Sequence, residues 1–288
     1  MEIKAAVSGA TIICICITLV ITLIGPIAAY IIYGIKNKGK GVWLAGLIGA
    51  AGFFVPQVII RLPILNVLSL SQGFISFAEN NFILYCFILA FTAALFELAG
   101  RYAAAKLLRK NQSFERAFAA GLGHGGIEAI ILIGMTYINN LIYSLMINMN
   151  AFDELIEQVK ATGVDVNQLY ALKEALISTS SGAFLLAGYE RILAVIAHIA
   201  MSMIVFYFVS RKEDMSGILI CLGAHTCLDF VSGITSGLAT PYLGGVISQN
   251  VSYIITYTFI TLFAAAAVVV IFKLKKLWKP AEFITEKE

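Results

Sequence analysis

Nine ionisable residues stand inside otherwise apolar stretches of this chain: Glu97, Arg101, His124, Glu128, Glu190, Arg191, His198, His225 and Asp229. They include all three histidines of the protein. Glu97 and Arg101, His124 and Glu128, and His225 and Asp229 are each four residues apart, a spacing that puts both members of a pair on one helix face. Three imidazoles with two or three carboxylates are a donor set for zinc, with a carboxylate left over to deprotonate a bound water. The HxxxE and HxxxD spacings suit two ligands on one face, or a ligand and the carboxylate that orients it. Relays that carry protons or ions across a membrane use the same residue types. A hydrolytic metal site and a translocation path therefore both remain open at this point. A single histidine reads as an interhelical hydrogen bond; only the set reads as a site.

The elements that must position these groups are membrane spans. Of the 288 residues 60% are hydrophobic and 13% charged, and the mean hydropathy is +0.89. A soluble domain carries about 25% charged residues, so this chain cannot cover a water-facing surface, and a soluble enzyme is excluded. The net charge of +3 is small and scattered, which excludes a nucleic-acid partner. Cys14, Cys16, Cys86, Cys221 and Cys227 lie inside apolar runs without a CxxC pair. They read as small hydrophobes, not as a disulfide framework or a thiolate site.

Runs of about 20 apolar residues mark spanning helices. They fall near 7–33, 43–60, 82–104, 117–145, 182–209, 216–236 and 251–272. The first is long, with no basic stretch before it and no small-residue cleavage site after it, so it reads as an uncleaved span. The fold expected is all-α, a polytopic transmembrane bundle of about seven spans forming a single domain over 1–288 without internal repeats. Alternate loops hold fourteen basic residues: Lys36, Lys38, Lys40, Lys106, Arg109, Lys110, Arg116, Arg211, Lys212, Lys273, Lys275, Lys276, Lys279 and Lys287. The opposite side has four, Lys4, Arg61, Lys160 and Lys173. Loop charge of this kind places the N-terminus outside and the C-terminus inside. Reporter fusions after Lys40, Lys110 and Lys212 are expected to score cytoplasmic, and fusions near Asn80 and Asp165 external; a cytoplasmic Asp165 would break the arrangement.

Two connecting stretches are distinctive. Leu62–Ala78 is apolar but interrupted by Pro63, Asn66, Ser69, Ser71, Gln72 and Gly73, and reads as an interfacial or re-entrant segment on the outer face. The acidic stretch 148–178 has apolar residues at helical spacing, which predicts two short amphipathic helices outside the membrane.

Depth is set by the inner-edge charges at about 1.5 Å per residue. Glu97 lies about 14 Å in, His124 and Glu128 about 12 and 18 Å, His198 about 20 Å, and His225 and Asp229 about 16 and 22 Å. In a hydrocarbon core of about 30 Å, four helices thus bring their polar groups to one layer around the midplane. Gly121, Gly123, Gly125 and Gly126 flank His124 and allow helices to approach closely, so the fourth span is expected to be central. A phosphate loop does not fit, because the stretch lacks a GKS or GKT after its glycines.

The stretches "FELAGRYAAAKLLRK", "GLGHGGIEAI", "RILAVIAHIA" and "GAHTCLDF", in that order between residues 96 and 230, together resemble the YhfC family of bacterial intramembrane metalloproteases. That family is grouped with the type II CAAX prenyl endopeptidases, the PrsW proteases and the Aph subunit of gamma-secretase. The first motif of the group is a double glutamate followed by a basic residue. Glu97 and Arg101 match its second glutamate and its base, while Phe96 stands in place of the first. Glu128 matches the end of the second motif, His124 is the additional residue of YhfC-like chains, and His225 with Asp229 matches the last. The Aph subunit keeps similar histidines and is regarded as a scaffold.

The resemblance implies a metal-dependent endopeptidase of the bacterial cytoplasmic membrane acting on membrane-embedded peptides or proteins, with zinc as the cofactor. His124, His198, His225 and Asp229 would form or complete the metal shell. Glu128 would serve as ligand or general base, and Glu97 with Arg101 as a base or a structural ion pair. A non-catalytic scaffold and a proton-coupled transporter are the alternatives.

Overall fold

The computed structural model describes residues 6–240 and 245–278, so Lys4, Lys279 and Lys287 of the charge count lie outside the described residues. Among the described residues all regular structure is helical. In chain order the helices are α1 (Gly9–Lys36), α2 (Val42–Leu68), α3 (Gln72–Asn80), α4 (Phe82–Leu107), α5 (Phe114–Asn148), α6 (Ala151–Ala161), α7 (Asn167–Ser178), α8 (Ala183–Ser210), α9 (Asp214–Leu238) and α10 (Gln249–Leu277). Seven of them, α1, α2, α4, α5, α8, α9 and α10, are long and apolar enough to cross a membrane. This is a multi-pass helical membrane protein.

The described residues differ from the sequence expectation in one element. Leu62–Leu68 is not a separate interfacial segment but the last two turns of α2. The reason lies in the wide π-helical turns at Phe54–Arg61, where the Leu62 N–H donates to the Gln57 carbonyl five residues back. Proline lacks the N–H that an α-helix interior requires and crowds the preceding turn. Pro56 lies in these turns and Pro63 comes directly after them, so neither ends the helix. The stretch 148–178 forms the two short helices expected of it, α6 and α7.

The chain divides into two compact units. The first comprises residues 1–28 and 129–192. In it α6 and α7 bury Phe152, Ile156 and Leu176 in a cluster with Ile15, Tyr137 and Ile147. Thr18 and Tyr137 both donate to the Phe184 carbonyl, at 2.8 Å each. Glu190 and Arg191 pair with each other.

The second unit comprises residues 29–128 and 193–288. It contains all the other intramembrane ionisable residues of the set. Its core is built largely from small side chains, among them Ala45, Ala104, Ala105, Ala117, Ala119, Ala120 and Ala197. Backbones meet where side chains are absent: a Cβ on Gly100 would fall on the Gly52 carbonyl, and one on Gly123 on the Gly46 carbonyl. Large apolar side chains such as Leu47, Ile59, Leu219 and Leu262 are exposed, which suits faces solvated by lipid chains. The connecting segments are tied by polar contacts. Lys40 pairs with Glu115 at 2.6 Å, Arg116 Nε donates to the Lys40 carbonyl at 2.7 Å, and Lys106 pairs with Asp214.

Candidate metal centre

Glycine sets the distance between the helices that carry the polar layer. On α5, a Cβ at Gly125 would stand 2.9 Å from the His198 Cβ and 3.1 Å from the Val195 Cα of α8. Gly121 faces Ile199 and Ser202 in the same way. With no side chain on that strip, α8 lies directly against α5, and His198 reaches the residues that flank the strip, His124 and Glu128. The two imidazoles are stacked, with centroids 5.4 Å apart.

Four side chains from three helices converge here. Glu97 of α4, His124 and Glu128 of α5 and His198 of α8 each direct a donor atom to a common region, all within 4.8 Å of one another and all buried. His124 Nε2 lies 3.0 Å from Glu97 Oε2, and His198 Nε2 lies 2.7 Å from Glu128 Oε2. Arg101 Nη2 donates to Glu97 Oε2 at 3.1 Å and also contacts His198 Nδ1.

The partners determine the proton positions. An ionised carboxylate only accepts, and a guanidinium only donates. His198 therefore presents the Nδ1 lone pair to Arg101 and carries its proton on Nε2. His124 likewise donates from Nε2 to Glu97, which leaves the Nδ1 of the neutral ring as a lone pair. That atom is buried and has no hydrogen-bond partner among the described residues, and the same holds for His225 Nδ1. Imidazoles and carboxylates gathered in this way could hold a metal ion, and imidazole and carboxylate are ligand types that suit transition metals such as zinc. In this structure the positive charge facing both Glu97 and the His198 lone pair comes from Arg101.

The last pair stands beside this group. His225 Nε2 lies 3.8 Å from Glu97 Oε2 and 3.4 Å from Asp229 Oδ2, and its ring meets that of His198 edge-on with centroids 5.5 Å apart. His225 is buried, whereas the Asp229 side chain is 36% exposed. The residues singled out from sequence are thus gathered in one place, apart from Glu190 and Arg191. The four-donor group includes Glu97, which by sequence is a base or an ion-pair partner, and His225 with Asp229 adjoins that group.

Two further residues belong to the network and carry no clear signal in the sequence. By sequence Arg61 belongs to the charges of an outer loop; it is buried on α2, one turn after Gln57, which is also buried. Gln57 Nε2 donates to Glu97 Oε1 at 3.0 Å. Arg61 Nη1 donates to Gln57 Oε1 at 3.4 Å, and its Nη2 to the Leu89 carbonyl at 2.7 Å. Two buried guanidiniums therefore oppose the two buried carboxylates, the balance a low-dielectric interior requires.

Fold and site together define a polytopic helical membrane protein with a buried histidine and carboxylate cluster between its helices. Comparison with known sequences assigns the family: the family model described as YhfC intramembrane metalloprotease matches residues 20–255, and the chain belongs to that family. A relative from Bacillus subtilis (strain 168), described as uncharacterized membrane protein YhfC, is 33% identical over 125 residues. That match covers 43% of this chain and 46% of the relative. No solved structure matches the chain.

Proposed function

We propose that the cluster is a metal site and that the protein is an intramembrane endopeptidase hydrolysing peptide bonds of membrane-associated substrates. The observation that carries this reading is the convergence of Glu97, His124, Glu128 and His198 donors within 4.8 Å in a buried setting. His124 and His198 with Glu97 would hold the ion, and His225, oriented by Asp229, is the third imidazole within reach. Bound zinc would supply Lewis acidity for the scissile carbonyl and lower the pKa of a bound water towards 7.

The chain's own groups divide the remaining work. Glu128 takes the proton of the attacking water on its carboxylate and returns it to the departing amide nitrogen. Its Oε2 lies 2.7 Å from His198 Nε2, a contact that keeps that carboxylate beside the histidine. Arg101 Nε and Nη1 are buried without a hydrogen-bond partner among the described residues, and are donors available to the negative charge that develops on the carbonyl oxygen. The host membrane in this reading is the bacterial cytoplasmic membrane, with the N-terminus outside.

The test is cleavage of membrane-embedded peptides by the purified protein in proteoliposomes. Cleavage that a chelator stops and zinc restores is expected. Proton-dependent flux without cleavage would overturn the proposal in favour of a transporter, and the absence of both in favour of a scaffold.

A further inference from the structure

We infer that Gln57, held by Arg61, is a positioning residue that fixes the Glu97 carboxylate as an anionic metal ligand. The inference rests on the metal-site reading. Glu97 has two oxygens with different neighbours: Oε2 receives Arg101 and His124, while Oε1 receives the Gln57 amide at 3.0 Å. Gln57 supplies the contact on the second oxygen, so that both oxygens, and not Oε2 alone, set the plane of the carboxylate.

An amide can present either its oxygen or its nitrogen, and only the nitrogen is useful to a carboxylate. Arg61 settles which one faces Glu97. Its guanidinium can only donate, so it takes the Gln57 oxygen at 3.4 Å and turns the NH2 group towards Glu97. Arg61 is itself anchored on α4, by the Leu89 carbonyl at 2.7 Å and the Thr92 hydroxyl at 3.3 Å. The chain of contacts thus starts on α4, crosses to α2 and returns to α4 at Glu97. Both residues sit on the π-helical segment Phe54–Arg61, an irregularity that recurs at functional sites.

This arrangement divides the two carboxylates by role. Glu97 accepts from Gln57, Arg101 and His124, which together hold it in one orientation. A carboxylate so engaged serves better as a fixed ligand than as a base that must take up and release a proton. The base is then Glu128.

The test is cobalt(II) titration of the purified wild-type protein and of Gln57→Met, monitored by the cobalt absorption bands, with melting temperatures measured alongside. Partners that orient metal ligands are worth about 10–100-fold in metal affinity, so Gln57→Met should bind cobalt weaker by that factor and with displaced bands. A residue with a merely structural role would lower the melting temperature and leave affinity and spectrum unchanged; that result overturns the inference and leaves the metal-site reading standing. A wild-type protein that binds no cobalt overturns both. If Gln57→Met does not fold, Arg61→Met decides, since it leaves the amide in place but withdraws every N–H that could orient it: weaker cobalt binding supports the inference and wild-type binding refutes it.

Discussion

Glu128→Gln is expected to reduce peptide cleavage by at least about 10²–10⁴-fold, the share that general-base assistance contributes, while the protein remains folded. The substitution keeps the shape of the side chain and retains an oxygen that can accept from His198 Nε2, 2.7 Å away in the wild type. What it removes is the negative charge and the ability to take a proton. A neutral amide is also cheaper to bury than a carboxylate, so melting temperature should hold or rise. Initial rates on a membrane peptide, with the melting curve of the same preparation, check both halves. A Glu128→Gln protein that cleaves at the wild-type rate would remove Glu128 from the chemistry and return attention to Glu97.

Arg101→Met should destabilise the protein by about 3–5 kcal/mol, the usual consequence of stranding a charge whose buried partner has been removed. Arg101 is 1% exposed and faces both Glu97 and His198. Its loss leaves the Glu97 carboxylate with the hydrogen bonds of Gln57 and His124, neither of which carries a fixed positive charge. The double variant Glu97→Gln with Arg101→Met removes both charges and should recover much of the loss. Thermal unfolding in detergent of the wild type, both single variants and the double variant gives the coupling directly. Additive losses would show that the two side chains do not compensate each other, against the charge balance described here.

The seven spans and the polar layer were legible in sequence for one physical reason. In a chain that is only 13% charged, an ionisable residue inside an apolar run stands out, and a spacing of four places its partner on the same face. The glycines around His124 likewise announced a close helix contact, and Gly123 and Gly125 make it. Spacing within one helix, however, says nothing about how neighbouring helices are rotated. Hence the contact of His198 with Glu128, and the place of Glu97 in the buried four-residue cluster, needed three dimensions. Gln57 is uncharged and gave no signal. Arg61 was hidden by its C-terminal neighbours: Pro63 and Asn66 made the apolar run look finished, whereas the π-helical turns carry the helix on to Leu68.

The proposed site stands or falls with a bound metal. Elemental analysis of the protein, purified without chelator and then of a His124→Ala, His198→Ala double variant, tests it most directly. Stoichiometric zinc or another transition metal in the wild type, lost in the folded double variant, is the predicted result. A wild-type protein that carries no such metal, and takes up none when zinc is supplied, would contradict the account.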